Sequence, residues 1–140
     1  MAQGRSSSTI HDVVVIGSGF GFSIVCLALG LKDNDRGQLS FVDPSYSVLK
    51  HGPLRTVGGT SQWDDPQKVR AHFRRFGVEH VVTHYKQTSA DFFADYATHG
   101  LPEIDVAFID GNHSYADVRA DFLNVLGHTH KKQLRAAARQ

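Results

Sequence analysis

An unbroken apolar run that enters a cluster of glycines near the start of the chain limits the fold more than any other feature. The run is Val13-Val14-Val15-Ile16, and the cluster is Gly17-Ser18-Gly19-Phe20-Gly21. A short run of this kind predicts a strand that is buried on both faces of a parallel sheet. Glycines directly after it permit a sharp turn and a close approach of the backbone to a ligand at the next helix N-terminus. The junction therefore predicts a parallel α/β sheet with a ligand site beside its first strand.

Strand-like and helix-like segments alternate along the rest of the chain. Strands are predicted at 13–16, 39–42, 81–85 and 104–109, and helices at 23–31, 66–76, 89–96 and 115–126. Residues 45–65 show no sustained periodicity and predict a long loop. The alternation favours an open, Rossmann-like, doubly wound parallel sheet with right-handed crossovers. In such sheets, ligands bind outside the carboxyl ends of the strands.

Composition narrows the class of protein and its partners. The 140 residues are 41% hydrophobic and 21% charged, which is typical of one globular domain. No apolar stretch reaches the about 20 residues that span a bilayer, so no membrane partner is expected. Basic residues without acids gather near the C-terminus, and acids outnumber bases elsewhere, so no nucleic-acid partner is expected. The single cysteine, Cys26, lies among apolar residues and predicts a packed thiol in a reducing compartment, which favours the cytoplasm.

An acid follows the second predicted strand. Asp43 stands where a carboxylate can accept both hydroxyl hydrogens of a ribose, which indicates a nucleoside ligand. The alternative role is turn formation, because Asp43 precedes Pro44. A dinucleotide fingerprint would need a third glycine where Phe22 stands, and this disfavours an oxidoreductase that binds NAD or a flavin.

The segment that best discriminates between the possible classes of protein is the fourth predicted strand with the turn after it. It reads Asp105-Val106-Ala107-Phe108-Ile109-Asp110-Gly111-Asn112-His113-Ser114-Tyr115. An apolar strand that ends in this way places ionisable groups at the edge of the sheet, where packing does not require them. Asp110 and His113 are therefore candidate chemical groups. The alternative for His113 is a surface histidine that caps the helix beginning near Ser114.

Together these segments resemble the class I methyltransferases that bind S-adenosylmethionine (SAM), a family that includes small-molecule O-methyltransferases. The resemblance covers roughly residues 12–127 and rests on G-x-G-x-G at 17–21, FVDPS at 41–45, Gly58-Gly59 with Trp63, RAHFRRFGV at 70–78, and the segment at 105–115. It implies a SAM-dependent methyltransferase that acts on oxygen of a small molecule. The alternative is a non-catalytic SAM-binding, nucleoside-binding or assembly module derived from the same fold.

The resemblance also implies a role for each matching residue. Gly17, Ser18, Gly19, Phe20 and Gly21 would line the methionine part of SAM. Asp43 would hold the ribose, and Thr88 and Ser89 would lie near the adenine. Asp110 matches a cofactor-contacting position that is also a cation ligand in metal-dependent members, so Mg²⁺ is a second expected cofactor. His113 matches the general base.

Members of this family continue beyond the fourth crossover helix with further strands, whereas residues 128–140 contain no apolar run of strand length. We therefore expect a leader at 1–11, a methyltransferase-like domain of about four strands at 12–127, and a basic tail at 128–140. A fragment of a longer enzyme, a degenerate binding domain and a domain completed by a partner are all consistent with this pattern. Because strand four would be an open apolar edge, we expect a homo-oligomer or a partner chain that covers it.

Overall fold

A computed structural model describes residues 10–17, 21–44 and 63–129 of the chain. The strands are β1 (Asp12–Ile16), β2 (Gln38–Val42), β3 (Val82–Tyr85) and β4 (Val106–Ile109), and the helices are α1 (Phe22–Asp33), α2 (Pro66–Arg75), α3 (Ser89–Ala94) and α4 (Tyr115–Gly127). Every predicted element is present, with bounds that differ by no more than two residues. The predicted leader up to residue 9, most of the long loop (45–62), and the tail from residue 130 lie outside the described residues.

All four strands are parallel, in the order β3-β2-β1-β4. Val15 at the centre of β1 is in register with Phe41 of β2 on one side and Phe108 of β4 on the other. The chain winds from β1 outward to β3 and then crosses back to place β4 on the free side of β1. The strand order therefore reverses at β1, as in the doubly wound, Rossmann-like sheet that the sequence predicts.

The sheet buries apolar side chains on both faces, because neighbouring residues of a strand point in opposite directions. Val13 and Val15 pack into one cluster with α1, α2 and Trp63. Val14 and Ile16 pack into the other cluster with Phe92 of α3 and Val125 of α4. Because both faces of β1 are buried, its sequence from Val13 to Ile16 is apolar at every position.

The prediction of a packed thiol is wrong, because Cys26 is exposed. The buried side of α1 is formed by four other residues, Ile24, Val25, Ala28 and Leu31. With 3.6 residues in each helical turn, the apolar neighbours of Cys26 in sequence occupy a different face of the helix.

Helix α4 buries a narrow face and leaves a wide apolar stripe exposed. Asp121 and Val125 are its buried residues. Tyr115 and Phe122, which lie at helical spacing along the stripe, are 83% and 53% exposed. The side of the domain formed by β4 and α4 is thus unusually apolar for a surface.

The first described residues are tied to the start of β4. The backbone N–H groups of His11 and Asp12 donate to the carboxylate of Asp105 at 2.7 and 3.0 Å. Beyond this contact, Ile104 forms an isolated parallel bridge with Thr129, next to the amino end of β4. Within the described ranges, no helix has the length and hydropathy needed to cross a membrane.

Candidate functional site

The carboxyl ends of β1 and β4 lie side by side at the point where the strand order reverses, which is the position of the ligand crevice in open α/β sheets. Gly17 follows β1, and a Cβ atom added to it would lie 2.4 Å from the carbonyl oxygen of Asp110 and 2.7 Å from the Cα of Gly111. The φ angle of Gly17 is +69°, in the left-handed region that favours glycine. Open α/β sheets bind their ligands in this crevice. Gly17, the first glycine of the predicted turn, thus lies at the point where such sheets bind their ligands.

The last glycine of the cluster begins helix α1. Gly21 is the N-cap, with φ +81°, and a Cβ atom on it would lie 2.7 Å from Cη2 of Trp63. Trp63 itself is buried against Phe41 and Phe73. Ser18, Gly19 and Phe20 lie outside the described residues, so their predicted contacts with the cofactor stay predictions.

Asp43 follows β2, and two groups of β3 fix its backbone. Its N–H donates to the carbonyl of Tyr85 at 3.1 Å. Its carbonyl lies 3.0 Å from Nε2 of His84, and because a carbonyl only accepts, Nε2 carries a proton. Burial lowers the pKa of His84 and so favours the neutral imidazole, which stacks on Phe41. His84 thus positions the end of β2, a role that the sequence analysis missed because it depends on the register between β2 and β3.

The turn after β4 brings Asp110 and His113 together. Nε2 of His113 lies 3.2 Å from Oδ1 of Asp110, and the two side chains are 81% and 46% exposed. The N-cap of α4 is Ser114, whose hydroxyl oxygen accepts from the N–H of Asp117 at 3.2 Å. His113 is therefore not the helix cap, and its described contact is with the acid at the end of the strand.

Polar side chains within the same turn hold its shape. Asn112 donates through Nδ2 to the carboxylate of Asp117 at 2.7 Å, and its own Oδ1 accepts from the N–H of Ser114 at 3.3 Å. The hydroxyl of Ser114 also donates to Asp117. The turn that carries His113 is thus braced by its own residues, as a preorganised site requires.

Thr88 and Ser89 lie at the carboxyl end of β3, two strands away from β1 in the sheet. Thr88 is the N-cap of α3, and its hydroxyl oxygen accepts from the N–H of Asp91 at 3.1 Å. Thr88 therefore has a structural role, and the adenine contact of these two residues stays a prediction.

The described residues do not form a metal centre. No group of three or more His, Cys, Asp or Glu side chains among them is arranged to hold a metal ion. Asp110 and His113 provide two candidate ligands, whereas a hard cation such as Mg²⁺ takes about six oxygen ligands. The predicted Mg²⁺ site at Asp110 does not fit this part of the chain.

The parallel sheet, whose strand order reverses at β1, defines a Rossmann-like α/β domain and is consistent with the methyltransferase class. A family model described as a methyltransferase domain matches residues 14–133. The chain belongs to the class I SAM-dependent methyltransferase family, and this membership implies the use of SAM. No curated protein matches the chain.

Proposed function

We propose that the chain transfers the methyl group of SAM to a hydroxyl oxygen of a small molecule, with His113 as general base. Family membership supports methyl transfer in general. The contact between Asp110 and His113 at the carboxyl end of β4 carries the proposal of an oxygen acceptor. A hydroxyl must lose its proton as it is methylated, and an imidazole can take that proton near neutral pH.

Asp110 determines which nitrogen of His113 acts as the base. A carboxylate only accepts hydrogen bonds, so Nε2 of His113 donates to Asp110, and Nδ1 keeps its lone pair. In the proposed step, the acceptor oxygen bonds to the methyl carbon while its proton passes to Nδ1. Asp110 then stabilises the imidazolium that forms. The cofactor supplies a methyl group on a sulfonium, whose carbon–sulfur bond breaks to leave a neutral thioether.

The glycines that follow β1 and β4 support the proposed placement of SAM. Gly17 and Gly111 carry no side chain, which allows a ligand to approach the backbone after the two strands. We assign the methionine part of SAM to the glycine cluster (17–21), with Asp110 at its edge. We assign the ribose to Asp43 and the adenine to Thr88 and Ser89.

Replacing Asp43 with alanine is expected to weaken SAM binding by about 1–3 kcal/mol, because two ribose hydroxyls would lose their acceptor. Calorimetric titration with SAM and S-adenosylhomocysteine measures the change, and both ligands should lose the same amount because both contain the ribose. Asp33→Ala, at the far end of α1, is the matched control and should bind normally. A loss below about twofold for Asp43→Ala would instead assign this residue to turn formation.

Two measurements test the proposed function itself. Titration of the chain with SAM, S-adenosylhomocysteine, NAD and FAD should show binding of the first two only. Transfer of a labelled methyl group from SAM to a panel of phenols, sugars and aliphatic alcohols should then identify hydroxyl acceptors. Binding of SAM with turnover only on amines would contradict the oxygen acceptor. Binding without turnover on any acceptor would favour the non-catalytic module.

We also propose that a second copy of the chain covers the side formed by β4 and α4. The support is the exposed apolar stripe of α4, which includes Tyr115 and Phe122, beside a strand that lies at the end of the described sheet. Exposed apolar patches and open strand edges are commonly covered by association. Sedimentation should show self-association that Phe122→Lys weakens, whereas Phe76→Lys on α2 should not. A monodisperse monomer with slow amide exchange along residues 104–109 would contradict this proposal.

We propose a cytoplasmic location for the chain. Cys26 is the single cysteine of the sequence, and its thiol is free and exposed. A reducing compartment keeps such a thiol from oxidation or intermolecular pairing.

A further inference from the structure

Asp121 is the one acid that is buried among the described residues, with 4% of its surface exposed. It lies on α4, on the same face as Val125. The described ion pairs join other residues: Arg74 with Glu79, Lys86 with Asp64, and His113 with Asp110. Burying a carboxylate is costly, so the position of Asp121 on α4 requires an explanation.

The carboxylate of Asp121 lies directly behind the turn that follows β4. Its Oδ2 is 3.6 Å from the position that a Cβ atom would take on Gly111. The same position is 3.4 Å from Cγ2 of Ile16 and 3.9 Å from the carbonyl oxygen of Ile16. A Cβ atom added to Gly17 would in turn lie 2.7 Å from the Cα of Gly111. A glycine backbone without a side chain thus separates the buried negative charge from the predicted cofactor site.

If the proposed function holds, the positively charged sulfur of SAM would lie outside the carboxyl ends of β1 and β4. A methyl group delivered to an acceptor beside His113 is attached to the sulfonium, so the sulfonium must lie near the turn at 110–113. The sulfonium carries a positive charge before transfer, and the thioether product is neutral at the same atom. A charge–charge interaction is stronger when one of the charges is buried, as Asp121 is, than when both are in water.

We propose that Asp121 is a specificity-determining residue, whose negative charge makes the crevice favour the cationic methyl donor over the neutral thioether product. The residue acts across the glycine backbone, so it takes no part in bond formation. Its effect is to favour exchange of S-adenosylhomocysteine for SAM after each transfer.

The test compares the affinities of two ligands that differ in charge at one atom. Asp121→Asn keeps the shape of the side chain and removes its charge, and calorimetric titration with SAM and S-adenosylhomocysteine gives the two Kd values. We expect the Kd for SAM to rise about tenfold, as one lost charge–charge interaction would produce, and the Kd for the thioether to change less than about threefold. Asp121→Glu keeps the charge and should keep most of the preference for SAM. Asp33→Asn removes the same charge at the far end of α1 and should change neither Kd.

Equal weakening of both ligands by Asp121→Asn would overturn the proposal, because loss of structure in the crevice weakens both alike. Unchanged affinity for both would overturn it too. If circular dichroism shows that Asp121→Asn does not fold, Asp121→Ala is measured by the same criterion. A wild-type chain that binds neither ligand would contradict the proposed function as a whole, and this result is distinct from a lost preference between two bound ligands.

Discussion

Replacing His113 with alanine is expected to lower kcat for methyl transfer by about 10²- to 10⁴-fold, the contribution that is typical of a positioned general base. The Kd for SAM should not change, because the imidazole is proposed to face the acceptor hydroxyl. The fold should also be unaffected. The side chain is 81% exposed, and its described contact is with Asp110, so we expect a stability change within about 0.5 kcal/mol.

Initial rates with labelled SAM, together with a denaturation curve, separate these effects. His80→Ala is the matched control, since His80 is an exposed histidine that precedes β3 at the opposite edge of the sheet. Free imidazole added to His113→Ala should restore part of the rate, because the exposed site leaves room for a diffusible base. An unchanged kcat in a folded His113→Ala variant would remove His113 from the mechanism.

A second variant, Asp110→Asn, tests the contact between Asp110 and His113. An asparagine amide can also donate to a histidine nitrogen, so the neutral imidazole would no longer be held with its proton on Nε2. Its kcat should therefore fall. His113→Ala and Asp110→Asn therefore test the same proton transfer through two different side chains.

The architecture could be predicted from the sequence because its signals are local. The run from Val13 to Ile16 is apolar at every position, which indicates burial on both faces, and the structure confirms it. Asp65 before Pro66 marks the start of α2, and its side chain caps that helix. Patterns of this kind depend on a few neighbouring residues, so they determine the type and order of the elements.

What the sequence could not provide is the rotation of each helix about its axis relative to the sheet. Cys26 and Val25 are neighbours with similar polarity, yet Val25 is buried and Cys26 is exposed. On α4 the discrepancy is greater, because an aspartate is buried while Tyr115 and Phe122 are exposed. Local polarity favours the opposite arrangement, and conflicts of this kind are expected at functional sites.

The candidate site was partly predictable for the same reason. Asp110 and His113 are close in sequence, so a turn after a strand was enough to bring them together. The contact between His84 and the backbone of Asp43 depends on how β2 and β3 align, and the burial of Asp121 depends on the packing of α4 behind Gly111. Neither the contact of His84 nor the burial of Asp121 can be predicted from a short segment of the sequence.

Replacing Gly17 with alanine is expected to destabilise the domain by about 2–5 kcal/mol. The left-handed backbone costs about 1–2 kcal/mol for a residue with a side chain. The added methyl group would lie 2.4 Å from the carbonyl oxygen of Asp110, and overpacking of this kind costs about 1–3 kcal/mol. The backbone of Asp110 is itself held close to β1, because its N–H donates to the carbonyl of Ile16 at 2.8 Å.

Gly30→Ala is the matched control, with the opposite expected sign. Gly30 lies within α1, and a Cβ atom there would meet nothing within 4 Å. Alanine should therefore stabilise the helix by about 0.5–1 kcal/mol. Urea denaturation of the two variants measures both changes, provided that their m-values match that of the wild type. If Gly17→Ala is as stable as the wild type, then β1 and β4 do not meet as closely as described.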